Sequence, residues 1–159
     1  MSTTPFVDIY NKFLTKITDD MYFSDTYTED DTLADLKSLL LDAIPNFEFP
    51  RFKLFNYDEE QEVYNEELTA EEINILAILM VISWFGRQEA SIDVTRMIYT
   101  GPDFNASSQA NQLNQLVKAK KAWDQRNIHV QRIYKRRKYT EDGHVESNMP
   151  VIMAASTFD

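Results

Sequence analysis

Leu68-Thr69-Ala70-Glu71-Glu72-Ile73-Asn74-Ile75-Leu76-Ala77-Ile78-Leu79-Met80-Val81-Ile82-Ser83-Trp84-Phe85 decides the fold. Thr69 and Glu72 have capping-box spacing, in which each side chain satisfies a free amide near the other's position. Leu68 before the cap and Ile73 after the first turn suit a hydrophobic staple. From Ile73 onward the apolar residues cover nearly the whole helical circumference. A helix of that kind is contacted on most sides, so the stretch predicts the central helix of a bundle. Its apolar run, 73–85, is 13 residues, short of the ~20 that span a bilayer, so no membrane span is expected.

Upstream, Phe6, Ile9, Tyr10, Phe13, Leu14 and Ile17 recur at helical spacing, with Thr4 as N-cap and Pro5 as first helical residue. Tyr22, Phe23 and Tyr27 belong to a loop. A second helix is expected over 29–44. Glu29, Asp30 and Asp31 suit the positive end of its dipole, and Leu33, Leu36, Leu40 and Ile44 form its inner stripe. Pro45 stops it. Residues 47–57, aromatic and broken by Pro50, read as extended chain whose rings fill gaps in the bundle. The acidic stretch 58–67 reads as a loop or a short edge strand near Val63 and Tyr64.

Downstream, Gly86 is expected to end or kink the central helix, with a shorter helix over 89–99. Gly101-Pro102-Asp103 is a break. A long helix then begins near Ser107 or Ser108, with Leu113, Leu116, Val117 and Trp123 on its apolar side. Residues 128–139 suit helix or strand. Asp142-Gly143 is a good two-residue turn, which favours a hairpin pairing residues near 133–141 with 144–150. Residues 151–159 read as an extended tail. The expectation is a mainly α protein: a small helical bundle over 1–127, then a basic arm, hairpin and extended tail over 128–159.

The 159 residues contain no cysteine, which excludes disulfides, thiolate zinc sites and cysteine nucleophiles. Three isolated glycines cannot build a phosphate-cradling loop. His129 and His144 have no clustered partner and make a poor metal site. The adjacent pairs Asp19/Asp20, Asp30/Asp31 and Glu71/Glu72 resemble acid–base dyads only on paper, because neighbours on a helix point in different directions. Loop solvation and helix N-terminal charge account for them. No catalytic, cofactor or metal residues are assigned, and no enzyme activity is expected.

Charge distribution is the anomaly. Residues 1–117 hold 7 Lys and Arg against 21 Asp and Glu, a net of −14. Residues 118–138 hold 9 Lys and Arg and one acid, Asp124, a net of +8. Three readings compete for the basic segment: a solvated helix face, a grip on nucleic acid, or docking on an acidic protein surface. The third leads, because the chain carries such a surface itself. Copies arranged head to tail would place one subunit's basic arm on the next subunit's acidic body, a contact that can close into a ring. Arg126, Arg132, Tyr134, Lys135, Arg136, Arg137, Lys138 and Tyr139 are the expected interface residues.

An acidic helical body, one long late helix and a basic extended arm together resemble the organisation of tailed-bacteriophage head–tail connector, or neck, proteins. The stretches Phe13-Leu14-Thr15-Lys16-Ile17-Thr18-Asp19-Asp20 and Phe47-Glu48-Phe49-Pro50-Arg51 are similar in texture to phage structural proteins. The resemblance implies a non-enzymatic virion protein made in the bacterial host cytoplasm. It implies a ring, commonly of twelve copies, between portal and tail, with DNA passing through the lumen. The competing class is a nucleic-acid-binding regulator using residues 118–138.

Overall fold

The computed structural model describes residues 2–17, 28–98 and 106–147. The expected loop at Tyr22, Phe23 and Tyr27, the break at Gly101-Pro102-Asp103 and the tail over 151–159 lie outside the described residues. The fold is mainly α. Among the described residues, four helices are accompanied by two small antiparallel sheets.

The chain enters through strand β1 (Thr4–Pro5), followed at once by α1 (Phe6–Leu14). Thr4 does not cap α1. Its hydroxyl accepts the Leu68 amide at 2.8 Å and donates to the Glu66 carbonyl at 3.2 Å. Pro5 sits at the cap position, extended, and the Glu62 carbonyl takes the Phe6 amide at 2.8 Å. Pairing with the sheet thus replaces the expected side-chain cap.

Helix α2 (Glu29–Ala43) is capped by Thr28, whose hydroxyl accepts the Asp31 amide. A 3₁₀ turn over Ile44–Asn46 follows. Leu36, Leu39, Leu40 and Ala43 form the buried stripe of α2, with Ile44 buried just beyond it; Leu33, expected in that stripe, is exposed at the start of the helix. Strands β2 (Tyr57–Asp58) and β3 (Val63–Tyr64) complete the first sheet in the order β1-β3-β2. Strand β3 is therefore central and not an edge. Tyr64 pairs with both Thr4 and Tyr57 in register.

Helix α3 runs unbroken over Ala70–Ile98. The capping box is formed: the Thr69 amide donates to Glu72 Oε2 at 2.7 Å, and the Glu72 amide to Thr69 Oγ1 at 3.3 Å. Residues 75–81 are all buried, and α1, α2 and α4 all pack on this helix. By length and composition Ala70–Ile92 would suffice to cross a membrane; in the bundle its central turns form the core. The expected break at Gly86 and the separate helix over 89–99 do not occur. An interior glycine weakens a helix by only about 1 kcal/mol, and the packing against α4 with the Lys120–Glu89 ion pair at 3.2 Å opposes a break there.

Helix α4 covers Ala106–Arg136, 31 residues, about 46 Å at 1.5 Å per residue. It leans on α3 and is followed by β4 (Arg137–Tyr139), which pairs with β5 (Val145–Ser147). Residues 128–136 are therefore helix, and the hairpin is shorter than expected. Its loop is Glu141-Asp142-Gly143, not a two-residue turn. The Gly143 amide bonds the Thr140 carbonyl, Gly143 has φ 79°, and the Thr140 amide bonds the His144 carbonyl. That is the three-residue loop with a left-handed third position.

An aromatic chain ties these parts together. Phe6 and Phe52 each lie 5.6 Å from Tyr64, Phe47 lies 5.5 Å from Phe52, and Tyr134 lies 5.5 Å from Phe47. Rings at such separations and tilted angles pack edge to face. Segment 47–57 fills gaps as expected with Phe47 and Phe52, while Phe49 and Phe55 remain outside.

Candidate protein-docking interface

The sequence places eight residues at an interface; the structure divides them into three groups. The first is internal. Tyr134 is fully buried, and its phenol donates to Glu72 Oε1 at 2.6 Å. Its oxygen also accepts the Arg51 amide at 2.9 Å. Tyr134 is a core residue and not an interface residue. Gln131, one turn earlier, is buried too and accepts the Glu48 amide at 2.9 Å. The expected division at residue 127 thus runs through the middle of α4, and the helix beyond it does not project as a free arm. Its cations point outward while Gln131 and Tyr134 point in.

The second group fastens the hairpin. Tyr139 donates its phenol to Glu71 Oε2 at 2.7 Å, and the Arg137 guanidinium lies 3.7 Å from Glu71 Oε1. The hydrogen bond to Glu71 raises the Tyr139 pKa above the ordinary tyrosine value. Lys138 pairs with Glu146 across the hairpin at 3.7 Å. Arg51, which sequence reasoning did not single out, closes this arrangement. Its guanidinium donates to the carbonyls of Tyr134 and Arg137, 4.0 Å from the centre of the Tyr134 ring and 5.4 Å from that of Tyr139. The available signal was a lone arginine in an aromatic run after Pro50. The Glu71/Glu72 pair is neither a dyad nor only dipole charge. Glu72 closes the cap and holds Tyr134, and Glu71 holds the hairpin.

The third group faces outward. Arg126 lies over the Trp123 ring at 5.1 Å and Lys135 over the Phe49 ring at 3.9 Å. Arg132 and Arg136 are exposed. With Lys118 and Lys121 they fall at 3-, 4- or 11-residue intervals on one side of α4, a stripe about 27 Å long. None of these four cations meets a carboxylate among the described residues. The acids of the body are engaged elsewhere or turned to solvent: Asp35 and Asp42 with Arg87, Glu62 with Lys37, and Glu29, Asp30, Glu59, Glu60 and Glu67 exposed.

A groove of about 430 Å³ is lined by Lys16 and Ile17, just after α1, by Trp84 and Phe85 of α3 and by Leu116 of α4, among others. Lys16 donates to Asn74 Oδ1 at 2.7 Å, and burial lowers its pKa. No group of three or more carboxylates and histidines stands together as a metal site among the described residues. No known family, no curated protein and no solved structure matches this chain.

Proposed function

We propose that the protein is a non-enzymatic structural subunit that assembles head to tail with copies of itself, as a head–tail connector does in the ring between portal and tail of a bacteriophage particle. One observation carries the reading: the stripe of Lys118, Lys121, Arg132 and Arg136 meets no carboxylate among the described residues, on a chain whose net charge is −10. Acidic side chains exposed on α2 and on the β2–β3 turn supply the complement. Exposed ion pairs contribute only about 0–1 kcal/mol each, so several must act in every subunit contact. Portal and tail proteins are the expected neighbours, and the particle neck is the expected location.

The test reverses the four stripe residues to glutamate. These are surface groups, so the circular dichroism spectrum should be unchanged while oligomers in light scattering, or incorporation into particles, disappear. Normal assembly of the variant would refute the reading. If wild type instead binds duplex DNA with a steep salt dependence and the variant loses it, nucleic-acid binding replaces assembly.

A further inference from the structure

Phe55 is 67% exposed, more than any other large apolar side chain among the described residues. It sits at the tip of the turn closed by the bond from the Asn56 amide to the Lys53 carbonyl at 2.9 Å. The aromatic run it belongs to buries Phe47 and half-buries Phe52, and of its two outer rings Phe49 lies under Lys135, which leaves Phe55 the more exposed. From Asn56 to Leu68 the chain has six acids, Asp58, Glu59, Glu60, Glu62, Glu66 and Glu67, and no cation. The turn bearing Phe55, with Lys53 exposed on its near side, therefore leads directly into the acidic segment that forms the short β2–β3 ribbon.

Helix α4 presents the converse. Beside its cationic stripe, Val117 is 43% and Ile128 45% exposed. They are eleven residues apart, three turns, and so lie on one line of the helix. Apolar positions flanked by Lys121 and Arg132 would receive an aromatic ring that is followed in the chain by carboxylates.

We propose that the turn bearing Phe55, with its acidic flank, docks on the outer face of α4 of a second copy of this chain. The proposal rests on the head-to-tail reading above and names the surface that the stripe meets. Phe55 is the apolar anchor, and Glu59, Glu60 and Glu67 face the cations. Aromatic anchors at the centre of an interface commonly dominate its energy, while the surrounding charges set orientation and choice of partner. Because ring and stripe are different surfaces of one subunit, the contact is heterologous and propagates from copy to copy.

The experiment is a charge swap read by light scattering and native mass spectrometry. One variant carries Lys118→Glu, Lys121→Glu, Arg132→Glu and Arg136→Glu. The other carries Glu59→Lys, Glu60→Lys and Glu67→Lys. Each alone should be monomeric, and the equimolar mixture should assemble with the two alternating. Phe55→Ala, which removes a ring exposed in the monomer, should leave the fold intact and weaken assembly at least about 10-fold. If the α4 variant is monomeric while the acidic-turn variant and Phe55→Ala assemble like wild type, the docking proposal is overturned and the head-to-tail reading stands. If the α4 variant assembles normally, or wild type stays monomeric at every concentration reached, both are overturned.

Discussion

Tyr134 donates a 2.6 Å hydrogen bond to Glu72, fastening the last turn of α4 to the first turn of α3. The carboxylate is 4% exposed, and its other oxygen takes the Thr69 amide at 2.7 Å. One buried carboxylate thus serves a helix cap and a tertiary contact 62 residues apart in sequence.

Tyr134→Phe keeps the ring and removes the donor. A hydrogen bond to a charged group contributes about 1.5–3 kcal/mol, and its loss leaves a buried oxygen without that partner. Urea unfolding should show a loss of that size. Thr69→Ala should cost about 1 kcal/mol through the cap. Because both act on Glu72, their effects should be non-additive. An unchanged midpoint for Tyr134→Phe would show that the bond contributes nothing net.

Stability should fall at alkaline pH. Burial holds the phenols of Tyr10, Tyr64 and Tyr134 above the ordinary value of 10.0; for Tyr134 the bond to Glu72 adds to this and Arg51 acts the other way. The unfolded chain loses these protons first. Between the unfolded and folded pKa values the native state therefore binds more protons, and stability decreases as pH rises. Their contribution is complete below about pH 10 and lost progressively above it. Unfolding midpoints taken upward from pH 9 should decline, and less steeply for Tyr134→Phe. Parallel declines in the two proteins would exclude Tyr134 as a contributor.

The helical core was legible because its signals are local. The capping box at Thr69 and Glu72 and the unbroken apolar run after it need no distant partner to be recognised. Gly86 misled because propensity is a weak prior against packing: a glycine that would end an isolated helix is carried through by α4 alongside. Tyr134 misled for a related reason. In a segment of +8 net charge it read as a surface aromatic, yet helical geometry turns Gln131 and Tyr134 inward at the same time as Arg132 and Arg136 turn out. Arg51 was invisible because its partners are carbonyls and rings more than 80 residues away. Of the expected interface, the outward cations survive as a candidate surface, and the hairpin residues prove to be engaged within the chain.

Arg51→Lys should loosen the hairpin without unfolding the bundle. The guanidinium donates to two carbonyls and lies against two rings, and an ammonium lacks the planar fork to do both. Glu71 would still hold Tyr139 and Arg137. Trypsin should therefore cut after Arg137 or Lys138 sooner in the variant, while the helical signal stays at the wild-type level. Equal cutting rates would mean that Glu71 suffices.

Two glycines should respond to alanine in opposite directions. Gly86 lies inside α3, where the added methyl would first meet the Lys120 ammonium at 3.9 Å, an ordinary contact with the end of a flexible side chain. Alanine restricts the unfolded chain and favours the helix, so Gly86→Ala should stabilise by about 0.5–1 kcal/mol. Gly143 has open space around the corresponding position but sits at φ +79°. There the side chain would be strained by its own backbone, at a cost of about 1–2 kcal/mol, borne by the hairpin. For a chain of this length 1 kcal/mol moves the melting midpoint by about 2–4 °C, so calorimetry resolves the Gly86 gain. The Gly143 loss should appear first as faster proteolysis of β4 and β5, because the hairpin can open while the bundle stays folded. A Gly86→Ala protein that melts below wild type would mean that α3 needs the glycine, and the continuous helix would then carry a strain at that point.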